Sequence, residues 1–151
     1  MRRRRNGHRD DRRHMAVKIQ LHVLAGIAGH ARDAAPLECC GLLAGRGDLI
    51  DEYIHTRNLR NSAVAYEIDP ADHFAAVKSL RVRGREILGA YHSHPRTPAI
   101  PSPTDLAEAH EGLLYVIVSL RDQPPDSQPP DIQAYRLVEG AFTNVPFEAV
   151  P

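Results

Sequence analysis

The sequence predicts a single α/β (α+β) domain in which helices cover a mixed β-sheet. Its length of 151 residues suits one domain, and a hydrophobic fraction of 42% is ordinary for a globular chain. Short apolar segments with strand-like patterns alternate with three segments that carry helix signals. No internal repeat or long linker divides the chain, so the domain is expected to span residues 15–151.

Three segments carry the signals of helices. In the first, apolar residues from Leu21 onward recur at intervals of three and four, and Pro36 limits its length. The second starts at Asp69-Pro70, with the aspartate as N-cap and the proline at the first helical position. A third, shorter helix starts at Ser102-Pro103. The predicted helices are 21–33, 70–84 and 102–110.

The remaining apolar segments are typical of strands. Segment 40–45 is short, apolar and flanked by glycine, as expected of a buried strand, and a Gly47-Asp48 turn joins it to the next one. A second turn, at Glu139-Gly140, precedes the last strand. The predicted strands are 17–21, 40–45, 49–55, 63–68, 86–92, 113–120, 132–138 and 142–147, and residues 123–131 are expected to form a proline-rich loop.

Charge is unevenly distributed along a chain whose formal net charge is zero. Residues 1–13 contain seven arginines and two aspartates, so the remainder has an excess of five acidic residues. That acidic body argues against a nucleic-acid-binding surface. The arginine run has two interpretations, a segment that binds nucleic acid or an anionic membrane, and a solvated leader. The second is favoured, so residues 1–14 are expected to be a disordered basic tail.

Cysteine content and hydropathy indicate the compartment. Cys39 and Cys40 are the two cysteines, and adjacent cysteines rarely pair with each other, which excludes a disulfide framework. No apolar run is long enough to cross a membrane, and no secretory signal pattern is found. A cytoplasmic protein without a membrane partner is therefore expected.

The most informative segment begins with a His-x-His pair. His92 and His94 lie two residues apart at the end of a predicted strand, so both imidazoles face the same side. Two nitrogen donors on one face supply half of a tetrahedral zinc site. Close pairs also arise by chance in a chain with nine histidines, so the pair alone favours ordinary packing. The other seven histidines lack such partners and are interpreted as surface or packed residues.

A helix start follows the two histidines. Taken alone, Ser102-Pro103-Thr104-Asp105 is best explained as an N-cap with an acidic residue in the first turn. The same position would bring the Asp105 carboxylate close to the loop that follows His94. Two histidines and one carboxylate leave a fourth position for water, which is the pattern of catalytic zinc.

Glu38 is the candidate proton shuttle. It directly precedes the apolar segment Cys39-Cys40-Gly41-Leu42-Leu43, an unusual place for a surface charge. The residue pattern alone leaves two interpretations open, a solvent-exposed loop residue and a general base.

Together these residues resemble the JAMM motif of MPN-domain metallopeptidases. Glu38, His92-Ser93-His94-Pro95 and, after six further residues, Ser102-x-x-Asp105 agree with it in type, order and spacing. The runs Glu38 to Gly45 and Tyr66 to Pro70 are similar to the compact bacterial branch. The resemblance covers nearly the whole chain outside the arginine tail. It implies an MPN/JAB fold, similar to that of cytidine deaminases.

The resemblance also implies roles for individual residues. His92, His94 and Asp105 would bind zinc, Glu38 would move protons between water and the leaving amine, and Ser102 would stabilise the oxyanion. Neither cysteine is assigned to the metal. The substrate would be an amide or isopeptide bond at the C-terminus of a ubiquitin-like protein. Compact bacterial members are associated with sulfur-carrier proteins, from which they remove a cysteine or a short extension.

Three other functions are alternatives to the peptidase. A non-catalytic MPN scaffold would bind partners only, but such proteins usually lose motif residues, and all five are present here. A zinc deaminase would need His-x-Glu and Cys-x-x-Cys, which this chain lacks. A structural zinc module would need four protein ligands, mostly cysteine.

Overall fold

The computed structural model describes residues 16–122 and 130–151. The predicted basic tail, residues 1–14, lies outside the described residues, as does most of the predicted proline-rich loop. The described residues form eight strands and three helices. The strands are β1 (Val17–Gln20), β2 (Cys40–Arg46), β3 (Leu49–Thr56), β4 (Glu86–His94), β5 (Leu114–Ser119), β6 (Asp131–Val138), β7 (Ala141–Val145) and β8 (Phe147–Val150). The helices are α1 (Leu21–Ala34), α2 (Pro70–Val82) and α3 (Pro103–Glu108).

One mixed sheet contains all eight strands, in the order β7-β6-β5-β4-β2-β3-β1-β8. The central strand β4 is antiparallel to β2 and parallel to β5. In this register His92 lies opposite Cys40 on one side, and His94 lies opposite Ser119 on the other. The end of β4 is therefore held between two buried strands, which fixes the position of both histidines.

The two longer helices cover the sheet. Helix α1 buries Val23, Ile27 and Ala31 in the main core cluster, together with residues of β1, β2 and β5. Helix α2 buries Ala76 against Leu42 and Ala90 in a second cluster. Asp69 caps α2 by accepting a hydrogen bond from the Ala71 N–H, as the Asp69-Pro70 pattern predicts. The predicted α/β domain with helices over a mixed sheet is confirmed.

The predicted last strand, 142–147, is wrong in one respect, because two strands occupy this region. Pro146 separates β7 from β8, since proline has no N–H to continue a ladder. Strand β7 pairs with β6, whereas β8 pairs with β1 at the opposite end of the strand order. One residue spans only a few ångströms of chain, so the sheet must curl until its two edges approach each other.

The predicted strand at residues 63–68 is also wrong. This region belongs to an irregular segment between β3 and α2, and its only ladder-type pairing is an isolated bridge between Asn58 and Ile68. The Asn58 side chain bonds to the backbone of Ala65 and Glu67. These side-chain bonds satisfy backbone groups that a strand would have paired with a neighbour.

Helix length and hydropathy bear on a membrane location. Among the residues that the structure describes, none of the helices combines the length and the apolar character needed to cross a bilayer.

Candidate metal centre

Strand β4 delivers His92 and His94 to the same point. Both side chains are buried, with relative exposures of 1% and 4%, and their Nε2 atoms are 3.1 Å apart. The two-residue period of a strand puts them on one face, and Pro95 follows directly where the strand ends. Two imidazole nitrogens thus point at one small volume.

Helix α3 brings Asp105 to the two histidines. The Ser102 hydroxyl accepts a hydrogen bond from the Asp105 N–H at 3.1 Å, and Asp105 Oδ2 accepts one from the Ser102 N–H at 2.8 Å. This capping box fixes the carboxylate in the first turn of the helix. The same Oδ2 atom lies 3.2 Å from each histidine Nε2. Capping and convergence on the histidines therefore occur together.

The three converging atoms fit a tetrahedral metal ion. His92 Nε2, His94 Nε2 and Asp105 Oδ2 are separated by 3.1 to 3.2 Å. Ligands at ~2.0–2.1 Å from tetrahedral zinc would be ~3.3–3.4 Å apart. Small adjustments would thus accommodate an ion bound by two nitrogens and one oxygen.

Glu38 lies beside this triangle, just before β2. Its carboxylate and the two imidazoles offer ligand atoms within 4.8 Å of one another, so Glu38 could also contribute to a metal site. However, Glu38 Oε1 is 3.8 Å from His94 Nε2, whereas Asp105 Oδ2 is 3.2 Å away. The shorter distances favour Asp105 as the third ligand and leave Glu38 at a distance suited to a water molecule between it and an ion.

Burial governs the charge of Glu38. The residue is 4% exposed, and among the described residues its Oε2 atom has no hydrogen-bond partner. Burial raises the pKa of this carboxyl to about 7, a rise opposed by His94 and reinforced by Asp105. A carboxyl with a pKa near neutrality can both accept and release a proton, as a shuttle requires.

Burial decides the direction of the pKa shift of His92, whereas hydrogen bonds decide it for His94 and Asp105. Complete burial lowers the pKa of His92, which favours the neutral ring with a lone pair. Burial lowers the pKa of His94 too, but hydrogen bonds to Asp105 and to the Pro98 carbonyl outweigh it and raise the pKa. For Asp105, bonds to both histidines overcome burial and hold the pKa well below its usual value, so the carboxylate is charged.

Neighbouring groups orient the imidazoles. His94 Nδ1 donates a hydrogen bond to the Pro98 carbonyl at 2.8 Å, which leaves Nε2 of the neutral ring with its lone pair toward the triangle. His92 has no such bond among the described residues, since its buried Nδ1 lacks a partner. Instead its ring stacks on Tyr66, with 4.3 Å between centroids and an angle of 22°.

Ser102 lies half-buried at the rim of the same site. Its hydroxyl accepts the Asp105 N–H, and this uses a lone pair rather than the hydroxyl proton. The proton can therefore be donated to a developing negative charge next to Asp105. The sequence-predicted site residues, Glu38, His92, His94, Ser102 and Asp105, thus lie together, and their roles as ligands, base and oxyanion donor are proposals developed below.

Sequence reasoning assigned no role to Tyr66. The segment that contains it carries no strand or helix, and its contact with His92 comes from tertiary structure. The available signal was an aromatic residue directly after a stretch of mostly small side chains, Asn61-Ser62-Ala63-Val64-Ala65.

Family comparison decides how the site is interpreted. Residues 20–138 match the model of a family described as prokaryotic homologs of the JAB domain. The chain belongs to this family. The resemblance to the JAMM/MPN metallopeptidases is thereby confirmed.

Relatives of the JAB family chain include named proteases. This chain is 33% identical over 135 residues to a CysO-cysteine peptidase of Mycobacterium tuberculosis, and the match covers 87% of this chain and 90% of the relative. It is 42% identical over 104 residues to a probable TtuB-protein conjugate cleaving protease of Thermus thermophilus, covering 68% and 70%. Both relatives match over most of their length.

Solved structures support the fold of this family member. A Desulfitobacterium hafniense protein solved in solution superposes with a TM-score of 0.76 at 30% identity, covering 89% of this chain and 94% of that one. A JAB1/MPN domain protein from Archaeoglobus fulgidus has a TM-score of 0.58 at 24% identity, covering 89% and 98%. The expected MPN/JAB fold is confirmed.

Proposed function

We propose that this chain is a zinc-dependent peptidase or isopeptidase that hydrolyses an amide bond at the C-terminus of a ubiquitin-like protein. The leading candidate reaction is release of cysteine from a sulfur-carrier protein. The chain is a JAMM-type hydrolase by its family and its relatives. The observation that carries the proposal is the triangle of His92, His94 and Asp105 with the buried Glu38 carboxylate 3.8 Å from His94.

The substrate class comes from the relatives. One is named for a cysteine adduct of CysO, another for conjugates of TtuB, and a Haloferax volcanii relative, 35% identical over 101 residues, is named a desampylase. We infer from these names a substrate class of small carrier proteins linked through their C-termini. We extend that class to this chain, whose match to the CysO-cysteine peptidase covers 87% of its length.

Zinc is the metal that the donor set favours. Two imidazole nitrogens and one carboxylate oxygen, with a fourth position left for water, form the ligand pattern of catalytic zinc. Bound there, zinc would supply a Lewis acid that polarises a carbonyl and acidifies water. The closeness of the three donor atoms and the lone pair directed by the His94–Pro98 bond fit this ion.

The protein's own residues would carry the proton transfers. Glu38 would accept a proton from the attacking water and deliver it to the leaving amine, because its buried carboxylate lies beside the triangle, with Oε1 3.8 Å from His94 Nε2. Ser102 would donate its hydroxyl proton to the carbonyl oxygen as negative charge develops. Asp105 would remain a charged ligand whose position the capping box fixes.

The reaction is proposed to take place in the cytoplasm, in a catalytic domain formed by residues 15–151. Cys39 and Cys40 are buried free thiols, which agrees with a reducing compartment.

Glu38→Gln tests the catalytic proposal directly. The substrate is a sulfur-carrier protein extended by one cysteine after its C-terminal glycine, and mass spectrometry follows loss of that residue. The variant keeps the side-chain shape and loses the base, so turnover should fall by at least ~10³-fold while zinc content stays near one per chain. Exposed Glu148 on β8 supplies the control, Glu148→Gln, which should retain full turnover. No turnover by the zinc-loaded native protein would exclude this substrate, and a carrier that still binds would favour a scaffold.

A further inference from the structure

The irregular segment between β3 and α2, residues 57–69, forms a closed loop beside the candidate metal centre. We call it the 57–69 loop. Its base is closed by backbone bonds, from the Leu59 N–H to the Glu67 carbonyl at 2.9 Å and from the Asp69 N–H to the Arg57 carbonyl at 3.0 Å. A loop closed at its base holds its inner residues in defined positions.

The Asn58 side chain organises this loop. Its Nδ2 atom donates to the carbonyls of Ala65 and Glu38, both at 3.1 Å, and its Oδ1 atom accepts the N–H groups of Arg60 and Glu67, both at 3.0 Å. An asparagine amide has two donor hydrogens and one carbonyl oxygen with two lone pairs. All four hydrogen-bonding positions are therefore used, and one of them reaches outside the loop to Glu38.

The main chain of Glu38 is attached to the loop at two points. Its carbonyl accepts from Asn58 Nδ2, and its N–H donates to the Ser62 carbonyl at 2.8 Å. Both peptide groups flanking the Glu38 side chain are thus fixed by the same loop. The placement of the carboxylate depends on the 57–69 loop as much as on β2, which starts two residues later.

The loop also touches the opposite side of the site through Tyr66. The Tyr66 ring stacks on His92, whose Nδ1 has no hydrogen-bond partner among the described residues. A metal-binding histidine is usually oriented by a hydrogen bond from that second nitrogen. Here the stacked Tyr66 ring orients His92 in place of that hydrogen bond. Tyr66 is in turn held through its neighbour Ala65, whose carbonyl accepts a hydrogen bond from Asn58.

We propose that Asn58 is a positioning residue for the hydrolysis, because its amide joins the Glu38 main chain to the loop that holds Tyr66 against His92. The inference rests on the proposed function of Glu38 and His92. One polar side chain thereby sets the distance between the base and a metal ligand. Displacing a catalytic group by about 1 Å can cost ~10²-fold in rate, which sets the scale of the expected effect.

Asn58→Asp is the sharpest test of the link to Glu38. The aspartate has the same shape and still accepts from Arg60 and Glu67, but it has no hydrogens for the carbonyls of Glu38 and Ala65. In the zinc-loaded enzyme, kcat should fall ~10–100-fold while KM changes less than about twofold. The matched control is Asn144→Asp on β7, where the amide donates to Gln133 far from the loop. It should leave both constants unchanged.

Thermal unfolding separates positioning from simple destabilisation. A variant that loses stability but keeps kcat would mean that Asn58 only supports the fold, and the proposal would be wrong. If Asn58→Asp is not recovered as folded protein, Asn58→Ser removes the amide without adding charge and takes its place in the same comparison.

The Tyr66 contact is tested without any substrate. Zinc affinity is measured by competition with a chromophoric chelator, using Tyr66→Leu and Tyr66→Phe. The leucine variant should bind zinc ~10-fold or more weakly, and the phenylalanine variant, which keeps the stacked ring, should match the native protein. Equal affinities for all three proteins would overturn this part of the proposal. Since this readout uses zinc alone, it stands even if the sulfur-carrier substrate proves wrong.

Discussion

The imidazole of His30 on α1 stacks on that of His55 on β3, with ring centroids 3.8 Å apart and an angle of 17°. His30 Nδ1 is also 2.8 Å from the Tyr91 hydroxyl. Partial burial, with a smaller contribution from His55 and against the opposing effect of Asp33, lowers the pKa of His30 to about 4. Two stacked imidazoles favour the neutral state, because a proton on one repels a proton on the other.

Stability should therefore decrease as the pH falls through the range from 6.5 to 4. In that range the unfolded chain binds a proton at His30 that the folded chain does not, so acid favours unfolding. Allowing for the partial exposure of the ring, the contribution of His30 to the loss between pH 7 and pH 5 should be about 1 kcal/mol.

Urea unfolding of the native protein and of His30→Gln measures this contribution. Glutamine can still bond to the Tyr91 hydroxyl, and the effect of buried His92 is common to both proteins. The variant should lose ~1 kcal/mol less between the two pH values. The exposed His73 on α2 provides the control His73→Gln, which should behave like the native protein. An unchanged pH dependence in His30→Gln would contradict the prediction.

Metal content should depend on both histidines of β4. Elemental analysis should find about one zinc per native chain and almost none in the double variant His92→Ala, His94→Ala, because removing both nitrogens leaves one carboxylate ligand. The exposed pair His22→Ala, His73→Ala is the matched control and should retain the metal. Absence of metal from the native protein, even after incubation with zinc, would show that the triangle does not function as a metal site.

Ser102→Ala should affect stability and turnover together. The change removes the acceptor for the Asp105 N–H, and loss of such an N-cap costs about 1 kcal/mol. It also removes the proposed oxyanion donor, so kcat should fall ~10²-fold. Ile19→Val on β1 removes one buried methyl group away from the site and should cost similar stability, about 1 kcal/mol, without the loss of kcat. Chemical denaturation and steady-state kinetics of both variants test this prediction. A kcat of Ser102→Ala equal to that of the native protein would show that Ser102 has no part in the mechanism.

Glycine substitutions should have opposite effects on β2 and α1. A Cβ atom on Gly41 would collide with the buried Tyr91 ring and with the Ile54 carbonyl, so Gly41→Ala should lose about 1–3 kcal/mol. At Gly29 nothing lies within 4 Å of an added Cβ, so Gly29→Ala should gain about 0.5–1 kcal/mol from helix propensity. Thermal unfolding of the two variants checks both signs, and stabilisation by Gly41→Ala would contradict the packing described for β2.

Local sequence signals were sufficient to predict the position of a side chain where that position depends only on its own strand or helix. The two-residue period of β4 predicts that His92 and His94 share a face, and Ser102-Pro103 predicts the helix that places Asp105. The structure agrees on both points, because each depends on backbone geometry over a few residues.

Contacts between distant segments could not be predicted in this way. The 63–68 segment has a strand-like composition, but side-chain bonds from Asn58 replace the ladder. The stack of Tyr66 on His92 and that of His30 on His55 join segments far apart in the sequence and leave no periodic signal. Separation of β7 from β8 depends on Pro146 and on which strand each of them pairs with, and only the complete sheet decides that.

The position of β8 has a consequence for synthesis of the protein. Strand β1 is made first among the described strands, yet all four of its residues pair with β8, and only Lys18 and Ile19 pair with β3. While the chain emerges from the ribosome, the outer edge of β1 therefore stays open until Phe147–Val150 has been made. An open strand edge can pair with another chain. The pairing of β1 is complete only once Phe147–Val150 has emerged, so a nascent chain halted at Pro146 would be prone to pair with its neighbours on a polysome.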